Sequence, residues 1–190
     1  MDDAHFNYLH CPQHIDWTKQ PNLWPSLPTE IQVTDRSVTT VMKIVDVPLA
    51  PVEAAAMGFS SGKRVNRVGK CTSTPPACYF AEWEFQGSGP IDGTRSGHSL
   101  RGLHCVTPIT GDRCHWWWAY IQDYGHKAAR AFQAGWEAIL KQDREILEAI
   151  QSRAERDSTG HSVPQFLVTA DRALGELRRL MKRALESDSR

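Results

Sequence analysis

The sequence predicts an α+β fold in which an antiparallel sheet is followed by two helices. Five or six short segments alternate apolar and polar residues, and their Gly- and Pro-containing connections are too short for helical crossovers. From His126 the apolar residues recur at helical spacing, and no proline occurs again until after Arg156. The length of 190 residues fits one domain.

The first half of the chain supplies the predicted sheet. Met1 to about Cys11 is helix-compatible and ends at Pro12, and residues 12–29 contain four prolines and predict an irregular loop. Glu30 to Val47 has the period of a hairpin that turns at Asp35-Arg36-Ser37. Residues 48–62 predict a mobile connection. Further strands are predicted at Arg64–Thr72, Cys78–Gln86, Leu100–Thr107 and Cys114–Gln122.

The second half predicts two helices. The first runs from His126 to about Arg156 and ends at a break, Asp157–Pro164, that contains serine, glycine and proline. Thr169 is a candidate N-cap for the last helix, whose apolar stripe includes Leu174, Leu177 and Leu180.

Composition excludes several classes of protein. The 22 basic and 22 acidic residues cancel, which argues against a nucleic-acid partner or an acidic membrane surface. No apolar run is long enough to span a membrane, and the N-terminus lacks the pattern of a secretory signal. The five cysteines are odd in number and irregularly spaced, as expected for reduced thiols. We therefore expect a cytoplasmic location.

One carboxylate lies on the apolar face of the long predicted helix. At 100° per residue, Asp143 falls only about 20° from Phe132 and Trp136 on the helical wheel. An ionised carboxylate removed from water costs several kcal/mol unless it is paired or bound to a metal. Three partners remain open: a core Arg or His, a small wet pocket, or a metal ion.

The N-terminal segment offers metal ligands. Asp2, His5 and His10 form the pattern D-x2-H-x4-H, and two imidazoles with one carboxylate are the facial triad of ferrous iron. Positions five apart lie about 140° apart on a regular helix, so both rings reach one metal only if the helix bulges or ends between them. Asp2 would accept a hydrogen bond from a ligand imidazole. The alternative is a frayed terminus with solvated histidines.

These segments together resemble the C-terminal catalytic part of Rieske non-heme iron oxygenase α-subunits, in the branch of the vanillate and dicamba O-demethylases. Met1–His10 is similar to the family's M-D-x-x-H-x4-H segment. Gly102–Pro108 is similar to its G-x-H-x-x-T-P strand, and His115–Ala119 to its aromatic strand. Gln142–Gln151 and Asp171–Leu180 resemble its last two helices, whereas residues 12–75 match loosely.

The resemblance implies a fold and roles for particular residues. The fold is the helix-grip (START-like) arrangement, an antiparallel sheet curved around a long C-terminal helix. His5, His10 and Asp143 would bind Fe(II), and Asp2 would link a ligand histidine to the iron–sulfur cluster of a neighbouring subunit in a homotrimer. His104 would hydrogen-bond the substrate, although a structural histidine within a strand is an equally open interpretation.

The resemblance also implies a reaction, the O2-dependent hydroxylation or O-demethylation of an aromatic substrate. Electrons from NAD(P)H would arrive through a reductase and a Rieske [2Fe–2S] cluster. A Rieske cluster needs a C-x-H pattern, which is absent from this sequence. We therefore expect residues 1–190 to form a single, N-terminally truncated catalytic domain without a Rieske domain, fed by a separate electron donor.

Three other interpretations remain open. The chain would be an inactive fragment or one half of a split enzyme. It would alternatively be a non-catalytic helix-grip module that binds hydrophobic ligands. A zinc-dependent hydrolase ranks last, because the sequence offers no clear general base near the triad.

Overall fold

In the part of the chain that the structure describes, six antiparallel strands form one open sheet, and two helices follow it. The computed structural model describes residues 29–49, 51–60, 62–87, 97–156 and 171–188. The predicted N-terminal helix with Asp2, His5 and His10, the loop at residues 12–28, the break at 157–164 and the cap at Thr169 lie outside these residues.

The strands follow one another along the sheet in chain order. Their bounds are β1 (Thr29–Val33), β2 (Val38–Pro48), β3 (Arg64–Thr74), β4 (Cys78–Gln86), β5 (Gly97–Pro108) and β6 (Cys114–Gln122). Each strand pairs antiparallel with the next. The predicted hairpin is confirmed, and the Thr34 hydroxyl accepts hydrogen bonds from the Arg36 and Ser37 amides in its turn. This meander explains why the connections are short.

A short helix, α1 (Pro51–Ala56), interrupts the connection between β2 and β3. A mobile connection was predicted here, and this helix was not identified from the sequence. Proline at the first helical position and three consecutive alanines favour this helix. The helix buries Ala54 completely, so packing against the sheet stabilises a segment too short to show helical periodicity.

Two longer helices follow the sheet. A 3-10 turn, His126–Ala128, leads into α2 (Ala129–Arg156), and α3 (Arg172–Asp188) follows. α2 packs on the sheet through Trp136, whose ring stacks on Tyr120 with centroids 4.2 Å apart. The predicted α+β, helix-grip arrangement is confirmed. None of the described helices is long and apolar enough to cross a membrane.

The face of α2 that packs on the sheet is shorter than the sequence predicts. Leu140 and Asp143 are buried, whereas Leu147 and Ile150 are 45% and 58% exposed. The apolar stripe on α2 therefore extends beyond the part of the helix that is covered. Asp143 is the last buried residue described in α2, so it lies at the end of the covered face.

The core lies between the inner face of the sheet, α1 and α2. Its buried members come from β2, β3, β4 and β5 and from the segments after β2 and β6: Met42, Ile44, Val47, Leu49, Ala54, Met57, Val65, Phe85, Leu100 and Tyr124. On β5 and β6 the inward positions are the even-numbered residues. This alternation puts His104, Trp116 and Tyr120 on one face.

Candidate functional site

His104 lies on the inner face of β5 and is hydrogen-bonded at both ring nitrogens. The Trp116 indole donates to His104 Nδ1 at 3.1 Å. The Tyr120 hydroxyl lies 3.2 Å from His104 Nε2. Both partners come from β6, on the same face as His104. The sheet register therefore sets the orientation of this imidazole.

The hydrogen bonds also fix the tautomer of His104. An indole N–H can only donate, so Nδ1 must be the acceptor and the neutral ring carries its proton on Nε2. Nε2–H then donates to the Tyr120 oxygen. Burial lowers the pKa of His104, and the charge of Asp143 opposes this without reversing it. The Tyr120 hydroxyl hydrogen is left to point at another acceptor.

Asp143 faces this pair from α2. Asp143 is 9% exposed, and its negative charge acts to raise the pKa of both His104 and Tyr120. The pKa of Tyr120 is raised, first by burial and then by the Asp143 carboxylate. The structure thus brings Asp143 and His104, two of the residues singled out in the sequence, to the same interface between sheet and helix. Their roles there remain predictions.

Aromatic rings surround the polar groups. Tyr79 meets His104 edge-on with centroids 5.6 Å apart, Trp118 lies 5.7 Å from Tyr120, and Trp136 stacks on the same Tyr120. Among the described residues, no hydrogen-bond partner reaches the buried Trp136 Nε1. The three consecutive tryptophans alternate between the two faces, since Trp117 points to the outer face and is 63% exposed. The inner surface is therefore aromatic with a few polar atoms, which is typical of a small-molecule site.

Sequence reasoning missed Tyr120. Its position on β6 is four residues after Trp116, so strand alternation puts both on the face of His104. A second signal is Gly102, directly opposite Tyr120 in the register. A Cβ at Gly102 would lie 2.7 Å from Tyr120 Cε1. Glycine within a strand often marks such a close approach.

A second polar cluster lies at the start of β5, where His98 and Ser99 contact Asp123. Asp123 accepts hydrogen bonds from the Ser99 amide at 3.0 Å and the Ser99 hydroxyl at 2.9 Å, and the His98 Nδ1 lies 3.3 Å away. Burial alone would raise the pKa of Asp123, but these hydrogen bonds and the His98 charge together lower it. The cluster joins the segment after β6 to the start of β5, which indicates a structural role.

A buried ion pair holds α1 against the sheet. Arg67 on β3 donates to the Glu53 carboxylate of α1, and the Arg67 guanidinium lies over the Phe85 ring at 4.7 Å. This pair was not predictable from the sequence, because Glu53 belongs to the helix that periodicity did not reveal.

Of the three predicted metal ligands, Asp143 alone lies among the residues that the structure describes. Among them no group of three His, Cys, Asp or Glu side chains lies close enough to bind a metal. The predicted ligands His5 and His10, together with Asp2, lie outside the described residues. Asp143 has the chemistry of a ligand, since a buried carboxylate is stabilised by a cation.

Comparison with known proteins decides the family. The profile of the vanillate O-demethylase oxygenase C-terminal domain matches residues 1–187. The chain belongs to this family. The resemblance seen in the motifs is thereby confirmed.

Solved structures agree on the fold of this C-terminal oxygenase domain. Dicamba monooxygenase bound to 3,6-dichlorosalicylic acid matches with a TM-score of 0.67 and 19% identity, over 99% of this chain and 57% of that chain. The same enzyme bound to dicamba matches with a TM-score of 0.66 and 18% identity, over 99% of this chain and 55% of that chain. Its structure with non-heme iron and dicamba matches with a TM-score of 0.63 and 18% identity, over 100% of this chain and 57% of that chain.

The chain therefore spans little more than half the length of these dicamba monooxygenase chains. At such identities the likeness establishes the fold. No curated protein sequence matches significantly.

Proposed function

We propose that this chain is the catalytic domain of a Rieske-type oxygenase that hydroxylates or O-demethylates an aromatic substrate. The observation that carries the proposal is the position of Asp143. A buried carboxylate at the end of the covered face of α2 meets the His104–Tyr120 pair across an aromatic surface. Family membership supports the oxygenase class.

The proposed metal ligands are His5, His10 and Asp143. Two neutral imidazoles and a carboxylate suit ferrous iron and leave coordination positions open. Bound Fe(II) would supply the activation of O2. Asp143 would contribute an anionic ligand that its burial shields from competing water.

The strand residues would bind and orient the substrate. Trp116 holds the His104 ring, and His104 Nε2–H occupies the Tyr120 oxygen. The Tyr120 hydroxyl hydrogen would therefore donate to an oxygen of the substrate. Trp118 and Tyr79 would pack against an aromatic ring and exclude water from the reacting end.

The remaining components of the reaction are proposed from the family. Asp2 would carry the hydrogen-bonded link between a ligand histidine and the cluster of a neighbouring subunit in a homotrimer. Electrons would come from NAD(P)H through a reductase and a Rieske [2Fe–2S] centre outside residues 1–190, which would form one catalytic domain. We also propose a cytoplasmic location for this chain.

The decisive test is iron binding by the isolated chain. The protein is loaded anaerobically with Fe(II), desalted and assayed for metal by mass spectrometry. We expect about one iron per chain in the wild type. Asp143→Ala, His5→Ala and His10→Ala should lose it.

Glu148→Gln is the matched control, because Glu148 is an exposed carboxylate on the same helix, 3.8 Å from Arg144. This variant should keep its iron. Iron retained by Asp143→Ala would contradict the proposed ligand set. A wild-type chain that takes no iron but binds aromatic compounds would instead support the ligand-carrier interpretation.

A further inference from the structure

Two cysteines face each other on the outer side of the sheet. Cys78 on β4 is directly opposite Cys105 on β5 in the register. Their sulfur atoms lie 3.6 Å apart. The side chain of Cys78 is exposed and that of Cys105 is half-buried. No residue of the oxygenase site proposed above uses either thiol.

The backbone at this pair suits a disulfide. The Val106 amide donates to the Ala77 carbonyl at 2.9 Å, so Ala77 and Val106 form a hydrogen-bonded pair. In an antiparallel ladder the next pair, Cys78 and Cys105, is then of the non-hydrogen-bonded type, with Cα atoms about 4.5 Å apart. This separation is within the range of disulfides, so side-chain rotation can join the sulfur atoms without moving the strands.

We propose that Cys78 and Cys105 form a redox-active dithiol that a hydroperoxide converts reversibly to a disulfide. The proposal is independent of the oxygenase function. It departs from the sequence expectation that all cysteines stay reduced. In a reducing compartment such a pair cycles rather than remaining oxidised.

The two thiols differ in accessibility. Cys78 is exposed whereas Cys105 is half-buried, so Cys78 is the thiol that a hydroperoxide reaches first and acts as the nucleophile. With hydrogen peroxide as the hydroperoxide, the Cys78 thiolate attacks one peroxide oxygen, an S–O bond forms as the O–O bond breaks, and the displaced hydroxide takes a proton and leaves as water. The Cys105 sulfur then attacks the resulting sulfenic acid.

In that second step an S–S bond forms, the S–O bond breaks, and the Cys105 proton leaves with the oxygen as a second water. The thiols lose two electrons and the hydroperoxide gains them. A thiol reductant reverses the reaction.

The disulfide would lie next to the candidate site. Cys105 follows His104, Cys78 precedes Tyr79, and these two aromatic neighbours are opposite each other in the same register. Closing the bond would fix the register of β4 and β5 at the pair beside His104. Oxidation of the two cysteines on the outer face would therefore constrain the same two strands that carry Tyr79 and His104 on the inner face.

The test is peptide mapping of the full chain. Protein is treated with hydrogen peroxide, alkylated with a maleimide and digested with trypsin, which cuts after Arg101 and Arg113 and so separates Cys105 from Cys114. We expect a cross-link between Cys78 and Cys105 that dithiothreitol removes. Cys71 shares a tryptic peptide with Cys78, and fragmentation distinguishes them.

Cys114→Ser is the matched control, because Cys114 is exposed on β6 and should not affect the cross-link. Cys105→Ser should abolish it and leave Cys78 as a sulfenic acid that dimedone traps. The proposal is overturned if the wild type forms no Cys78–Cys105 cross-link, or if Cys78 gives the same product in the wild type and in Cys105→Ser. The wild-type result stands even if a variant fails to fold.

Discussion

Replacing Gly102 with alanine tests how tightly the sheet holds Tyr120. The added methyl would lie 2.7 Å from Tyr120 Cε1 and 3.2 Å from Cδ1, well inside the ordinary contact distance of about 3.5–4.0 Å. The ring cannot retreat easily, since Trp136 stacks on it at 4.2 Å and its hydroxyl contacts His104. Overpacking of this kind costs about 1–3 kcal/mol, of which alanine's lower chain entropy recovers roughly 0.5–1 kcal/mol.

Urea unfolding followed by tryptophan fluorescence measures the effect. We expect Gly102→Ala to lower the free energy of unfolding by about 1–2 kcal/mol. Gly111→Ala is the matched control, because an added Cβ there has no neighbour within 4 Å, and its effect should stay below about 0.5 kcal/mol. In a Tyr120→Ala background the Gly102→Ala cost should vanish. An equal cost in both backgrounds would refute the reasoning.

Three further predictions concern the polar groups. The lowered pKa of Asp123 stabilises the fold above the unfolded-state pKa of about 3.9, and this stability is lost as pH falls through the lower folded pKa. Asp123→Asn should therefore flatten the acid side of a stability–pH curve, and an unchanged curve would contradict the assignment. Glu53→Gln should cost about 3–5 kcal/mol in urea unfolding, because it leaves the Arg67 charge buried, whereas Glu53→Leu with Arg67→Met should cost far less; equal losses would argue against a buried charge. Tyr120→Phe keeps the ring but removes the oxygen that accepts from His104 Nε2, at a cost of about 1 kcal/mol in the same assay, and no loss would mean that the bond does not form.

Much of the fold follows from local patterns. The strands were predictable because alternation and short turns are local, and so was α2, because its apolar spacing extends over several turns. α1 was not, because six residues show no period and its stability comes from burying Ala54. The exposed end of the α2 stripe was also unpredictable, since a helical wheel shows which residues share a face but not what covers them.

The candidate site was predictable in its residue types and not in its pairings. The position of Asp143 among apolar residues marks it as a buried charge wherever the helix packs. The hydrogen bonds that join His104 with Trp116 and with Tyr120 span 12 and 16 residues, and only the β5–β6 register brings these side chains together. The cluster of His98 and Asp123 spans 25 residues for the same reason.

The structure changes how His104 can take part in recognition. A histidine that binds substrate needs a free ring nitrogen, yet within the described residues Nδ1 receives the Trp116 indole and Nε2–H is directed at Tyr120. A substrate that bonded His104 directly would have to displace one of them and leave either the Trp116 N–H or the Tyr120 oxygen without its hydrogen-bond partner, which costs about 1–3 kcal/mol. Bonding the Tyr120 hydroxyl costs nothing comparable, because its hydrogen is not used by His104. Under the proposed function, the interpretation of His104 as a structural histidine and its interpretation as a substrate residue converge: His104 would orient the Tyr120 hydroxyl that would donate to the substrate.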